Sequence, residues 1–250
     1  MLRFKRYLVL CLFLVCVITA FSFWAILQPA KDARGVFSPP PLAGVKLDAL
    51  SAGMTTAVNV TRTPDGGWLA QAAGKTGIPA PALRAYVAAA TGANESHPGC
   101  GIGWNTVAAV GYVESKHGTY GGASPDAATQ GNGPIVGPSL NGAGFAAIPD
   151  TDGGALDGDA QWDHAVGPMQ FIPSTWKIAG LDGNGDGVAD PFNLDDAALS
   201  AATYLCVHGG DLATARGWTD AIYSYNQSDA YIRQVRAQAT AYAAKTGTSQ

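Results

Sequence analysis

Residues 7–27 carry no charge and follow directly on Arg3, Lys5 and Arg6. As a helix, that 21-residue run spans roughly the 30 Å hydrocarbon thickness of a bilayer. An export signal has a shorter apolar region, about 7–15 residues, ending at small side chains. This run ends in Phe21, Phe23, Trp24 and Ile26 and reads as a transmembrane signal-anchor. Trp24 suits the outer interface and the basic tip, residues 1–6, the cytoplasmic side. Cys11 and Cys16 lack the small preceding residue of a lipid-attachment site and read as apolar filler. The remainder is expected outside the cytoplasm, held by a single pass at the cell membrane, or secreted if the segment is cleaved.

Beyond residue 27 lie 12 basic and 19 acidic residues, a net charge of −7. A nucleic-acid partner requires a basic surface, so that class is excluded. The same carboxylates suit either an acidic soluble domain or calcium. Only Cys100 and Cys206 lie outside the apolar run. In an oxidising compartment two cysteines most simply pair; two buried thiols are the alternative. Residues 28–64 are rich in Pro, Ala, Gly and Thr and read as a linker. The domain is expected over residues 65–245, long enough for one core.

That domain reads as all-α with minor β. Leu83, Tyr86, Val87 and Ala90 follow the i, i+3, i+4, i+7 pattern of an amphipathic helix. Further helices are expected over 64–73, 104–117, 174–178, 195–207, 218–225 and 228–244. Residues 121–163 differ: Gly, Pro and Asp recur without period. So long a loop is uncommon in a compact domain and is usually functional; here it reads as one wall of a cleft or as an ordered insertion without chemistry.

Glutamate occurs only at Glu95 and Glu114. On its helix, Glu114 sits at the edge of the stripe formed by Trp104, Val107, Ala108 and Gly111. Apolar surroundings raise a carboxyl's pKa, and such a group can donate a proton to a leaving oxygen. Position alone equally suits a solvated residue at a helix end. Asp182, Asn184, Asp186, Gly187 and Val188 match the opening of an EF-hand loop, but position twelve is Asn193, not Glu. A turn without metal would use the same residues. The four histidines form no metal-binding motif, and no Gly-x-Ser-x-Gly of a serine hydrolase occurs.

Three motifs recur in a known order: Gly111-Tyr112-Val113-Glu114-Ser115 with Gly118, then Gly167-Pro168-Met169-Gln170-Phe171-Ile172-Pro173, then Tyr223-Ser224-Tyr225-Asn226. This set resembles the lytic transglycosylases of the soluble and membrane-bound murein transglycosylase B type, in their actinobacterial form, within the lysozyme-like superfamily. The resemblance implies a lysozyme-like fold and peptidoglycan glycan strands as partner. It implies Glu114 as catalytic acid and base, and Gln170, Tyr225 and Asn226 as substrate-binding. It also implies a structural calcium site with Asp196 as closing carboxylate beside Asp182, Asn184, Asp186 and Val188, and no cofactor for catalysis. The reaction implied is non-hydrolytic cleavage of the MurNAc–GlcNAc bond, leaving a 1,6-anhydro end. Gln227 stands where relatives often have His, and the 121–163 insertion lies outside the general family core. A hydrolytic muramidase would need a second carboxylate about 5–9.5 Å from Glu114, for which Asp150, Asp152, Asp157, Asp159 and Asp163 are candidates. An inactive peptidoglycan-binding module would have lost Glu114.

Overall fold

The computed structural model describes residues 35–47, 64–122, 134–144 and 146–248. The apolar run at 7–27 and its basic tip lie outside them. Among the described residues no helix is long and apolar enough to cross a membrane. Contacts divide the chain into residues 1–35 and 36–250, and every element below belongs to the second unit.

Among the described residues, seven α-helices build the frame. Asp65 caps α1 (Gly66–Thr76) by accepting from the Trp68 N–H, and Gly77 ends it at φ +78°. α2 is Ala80–Ser96 and α3 is Trp104–Ser115. α4 is Pro173–Ala179, α5 is Leu194–Gly209, α6 is Ala215–Tyr225 and α7 is Asp229–Thr246. Asn193, Thr214 and Ser228 cap the last three with side-chain oxygens, which satisfies N–H groups a helix start leaves unpaired. Thr214 starts α6 three residues before the hydrophobic pattern does. α2 packs on α5, and both helices are rich in buried alanines, among them Ala82, Ala89 and Ala93 on α2 and Ala198, Ala201 and Ala202 on α5. Side chains this small let two backbones approach closely.

α3 lies at the centre, buried from Trp104 to Gly111. A Cβ on Gly111 would stand 2.2 Å from the Tyr86 hydroxyl, so only glycine fits this crossing. The helix stops at Ser115, two residues earlier than the pattern predicts. Lys116 and His117 turn into left-handed backbone at φ 54° and 65°. His117 is held there between the hydroxyls of Tyr86 (3.2 Å) and Tyr242 (2.9 Å).

The insertion is ordered where described. β1 (Val136–Ser139) pairs antiparallel with β2 (His164–Val166). Isolated bridges Asn141–Ala147 and Pro149–Trp162 continue the pairing outward. This is a folded wall that sequence periodicity could not register, because its strands are too short to repeat a pattern.

Residues 36–47, expected within the linker, are instead part of the domain. They lie along it as an extended strap. The fully buried Asn105 accepts from the Ala43 N–H (3.3 Å) and donates to the carbonyls of Pro41 (3.0 Å) and Ala239 (3.1 Å). The Phe37 N–H donates to Thr219 (2.8 Å), Arg236 donates to the Ser38 carbonyl (2.6 Å), and Gly44 pairs with Gly247. The run of prolines explains the docking: it cannot continue a helix, and its carbonyls stay free for outside donors.

Cys100 and Cys206 form a disulfide, their Cα atoms 5.3 Å apart across a separation of 106 residues. It ties the C-terminal end of α5 to the segment entering α3, where the Leu212 N–H also donates to the Cys100 carbonyl. Replacing both cysteines with serine is expected to cost about 2–4 kcal/mol. In a domain of this size the melting temperature should fall by roughly 5–15 °C, read by calorimetry against the wild type.

Candidate active site

Glu114 leaves α3 on the side facing the insertion. Two contacts set that geometry. The Ser115 hydroxyl donates to the Pro168 carbonyl (2.6 Å) and accepts from the Gly118 N–H (2.7 Å), which rivets the end of α3 to the turn carrying Gln170. That turn can pack only because residue 167 is glycine: its φ is +75°, and a Cβ there would stand 1.8 Å from the Pro191 carbonyl oxygen. The outcome is a cleft of about 780 Å³. Glu114, Gln170, Tyr225 and Asn226 all line it, so the structure brings together the four residues that the sequence motifs singled out.

Their individual roles differ from one another. Glu114 is half-buried: its carboxyl reaches the cleft while the packing around it excludes most solvent. Burial raises its pKa to about 7, and a hydrogen bond from Tyr231 opposes the rise. That bond, Tyr231 Oη to Glu114 Oε1, is 2.5 Å long. Tyr225, expected to bind substrate, lines the same cleft, feels the charge of Glu114 and donates its hydroxyl to the Met169 carbonyl (2.7 Å). Its ring stands edge-on between Phe171 and Tyr204, each 5.8 Å away, as part of the cleft floor. Gln170 holds strained backbone, φ 51°, and its amide donates to the carbonyls of Ala165 and Gly167. It therefore shapes the turn as well as facing the cleft.

Tyr231 is the functional residue that sequence reasoning missed. It lies in the first turn of α7, where the Ser228 cap accepts from its N–H. An aromatic so close to a polar helix start was the available signal. Tyr231→Phe removes the donor that lowers the pKa of Glu114. The alkaline limb of the activity profile should move upward, and kcat should fall roughly 10–100-fold as the carboxyl loses its orientation; kcat measured from pH 5 to 9 checks both.

The insertion supplies the facing wall through Pro138, Leu140, Ile148 and Ala165. Its acids, the sequence candidates for a second carboxylate, turn into their own loop. Asp150 accepts from the N–H groups of Asp152, Gly153 and Gly154. Asp152 accepts from Ala155 and Leu156, Asp157 from Asp159 and His164, and Asp159 from Gln161 and Trp162. The buried Asp163 holds the N–H and hydroxyl of Thr151. Among the described residues, Glu114 is the one carboxylate lining the cleft.

The loop after α4 gathers the expected metal ligands. Asp182 accepts from the N–H groups of Gly185, Asp186 and Gly187, and Asp186 from that of Val188. Asp196, fully buried on α5, reaches the same loop and accepts from Gly183 (2.8 Å), Asn184 (3.1 Å) and Asp190 (3.0 Å). Burial raises its pKa despite those three bonds, and the charge of Asp182 adds to the rise. Carboxylates, an amide oxygen and a backbone carbonyl are all oxygen donors, the type a hard divalent cation takes, but Asp182, Asp186 and Asp196 are not brought within ligating distance of one another.

Residues 150–218 match the family model described as the transglycosylase SLT domain. That span holds Gln170 and the acidic loop but not Glu114, Tyr225 or Asn226. No curated protein matches the chain. Among crystal structures, a lytic transglycosylase of Escherichia coli in complex with calcium is similar at 16% identity, over 72% of this chain and 79% of that one, with a TM-score of 0.43. SltB3 of Pseudomonas aeruginosa, in complex with NAG-anhNAM-pentapeptide, is similar at 15% identity, over 73% of this chain and 68% of that one, with a TM-score of 0.41. Residues 150–218 are thus similar to the transglycosylase SLT domain, and they lie within a mostly helical frame.

Proposed function

We propose that this chain is a lytic transglycosylase acting on peptidoglycan outside the cytoplasm, held at the membrane by residues 7–27. The observation that carries the reading is the cleft's single carboxyl, raised to about 7 with no second carboxylate among the described lining residues. Ordinary glycosidases divide the work between two carboxyl groups. One suffices when the substrate brings its own nucleophile. Glu114 gives its proton to the bridging oxygen as the MurNAc–GlcNAc bond breaks, and the MurNAc N-acetyl group supports the developing cation. The resulting carboxylate then takes the proton of the MurNAc C6 hydroxyl, whose oxygen closes on C1. The nucleophile is intramolecular, so no water has to be positioned. Gln170, Asn226 and the Tyr225 ring flank the sugar.

Digestion of purified peptidoglycan, with products identified by mass, tests this. Anhydro-MurNAc ends are expected. Reducing ends would make the enzyme a hydrolytic muramidase, and binding without any product would make the domain an inactive peptidoglycan-binding module.

The acidic loop holds calcium in this reading, through Asp182, Asn184, Asp186, the Val188 carbonyl and Asp196. The ion is structural, pinning the segment between α4 and α5. At calcium concentrations about a hundred-fold above Kd, binding adds about 2.7 kcal/mol. Chelation should then lower the melting temperature by roughly 5–10 °C, with calcium returning it; a melting temperature indifferent to both would reject the site.

A further inference from the structure

His164 on β2 has an oxygen acceptor at each ring nitrogen. Nδ1 lies 2.7 Å from the Gly137 carbonyl of β1, and Nε2 lies 3.2 Å from Asp159 Oδ2. A carbonyl and a carboxylate only accept, and a neutral imidazole carries one N–H. Only the imidazolium donates to both. We propose that doubly protonated His164 is a positioning residue that holds the cleft-wall strand β1 in place, so that wall order and substrate affinity fall together when the ring loses a proton.

The position of Gly137 gives the clamp its leverage. The ladder between β1 and β2 is irregular between Val136 and Ser139, and Pro138 has no N–H to give. His164 therefore supplies a bond where the ladder is broken, in a two-stranded sheet of a kind that is marginal alone. Pro138 and Leu140, just beyond, line the cleft. On the other side, Gln170 Oε1 stands 2.7 Å from where a Cβ on Gly137 would be. A shift of Gly137 thus reaches both the wall and the cleft glutamine.

The charged groups around the ring favour its charged form. Asp159 pairs with it, and Asp157 accepts from its backbone N–H. β1 brings no titratable group, and α4, which also packs on β2, brings only the exposed Lys177. The Gly137 carbonyl chiefly, with Asp159 and Asp157, raises the His164 pKa above the ordinary histidine value, against a smaller opposing effect of burial. Both bonds are made below the ordinary value, and one of the two is lost as pH rises through the raised one.

The test uses the full chain. The His164 ring is titrated by NMR, and amide exchange at residues 137–140 is followed over the same pH range. His164 should titrate above the ordinary value. Wall exchange, relative to the helical core, should step up at that pH in the wild type and show no step in His164→Gln. Asp159→Asn should move both the titration and the step downward. A ring that titrates at or below the ordinary value, or the same step in His164→Gln, would overturn the proposal. The kinetic arm rests on the proposed function. At pH 6 His164→Gln should raise KM about threefold to tenfold with kcat little changed, and Asp159→Asn should shift only the limb set by His164, leaving that of Glu114. A KM that follows neither variant would also overturn it. If the chain cleaves no glycan, titration and exchange still decide the clamp.

Discussion

Glu114→Gln is expected to abolish the release of anhydro-MurNAc ends while leaving the domain folded. The amide keeps the shape of the carboxyl and an oxygen that can accept from Tyr231, but it has no proton to give to the bridging oxygen. General acid–base groups contribute about 10²–10⁴-fold. Here one group serves as acid and then as base, so the loss should lie at the top of that range or beyond it. The wild-type rate should also fall as pH rises through about 7, where Glu114 gives up its proton. Stability provides a second readout of opposite sign. A carboxyl whose pKa is raised on folding costs the native state stability as pH rises from the ordinary carboxyl value to the raised one, and the cost persists above it. The variant should therefore melt higher than the wild type at pH 8 and nearly with it at pH 5. Loss of activity together with a lower melting temperature at pH 8 would point instead to a structural role for the carboxyl.

Removing residues 36–47 is expected to be the most destabilising change outside the core. A domain cut at residue 64, where composition alone suggests the boundary, loses the partners of Asn105 at Pro41 and Ala43 and the Thr219 and Arg236 contacts to Phe37 and Ser38. Each polar group stranded in the interior costs about 1–3 kcal/mol. Loss of several should lower the melting temperature by roughly 10–20 °C, compared with a protein beginning at residue 36. Asn105→Ala in the longer protein should reproduce part of that loss. Equal melting temperatures for the two lengths would mean that the strap lies on the domain without supporting it.

Much of the frame was legible in the sequence because helices announce themselves locally. Apolar spacing placed α2, α3 and α5 within a few residues, and the expected start of the last helix at residue 228 falls on the cap of α7. The ends were less legible. α3 stops at Ser115 because His117 is drawn between Tyr86 and Tyr242, which lie 31 and 125 residues away. The strap was misplaced for a related reason: Pro-rich composition describes a chain that cannot be helical, and says nothing of whether a distant asparagine will receive its carbonyls.

The sequence by itself singled out the residues expected to carry the chemistry. Glu114, Gln170, Tyr225 and Asn226 belong to ordered motifs, and all four line one cleft. Cys100 and Cys206, the two cysteines outside the apolar run, were expected to pair and do. Tertiary structure alone decided what each of those groups can do. It made Tyr231, which no motif singled out, the hydrogen-bond donor to Glu114. It turned the acids of the insertion into their own loop, leaving Glu114 the single carboxylate among the described residues lining the cleft. The physical reason is range. Helix propensity and capping act over a few neighbouring residues, whereas desolvation of a carboxyl and the choice of its hydrogen-bond donor depend on side chains that meet only when the chain has folded.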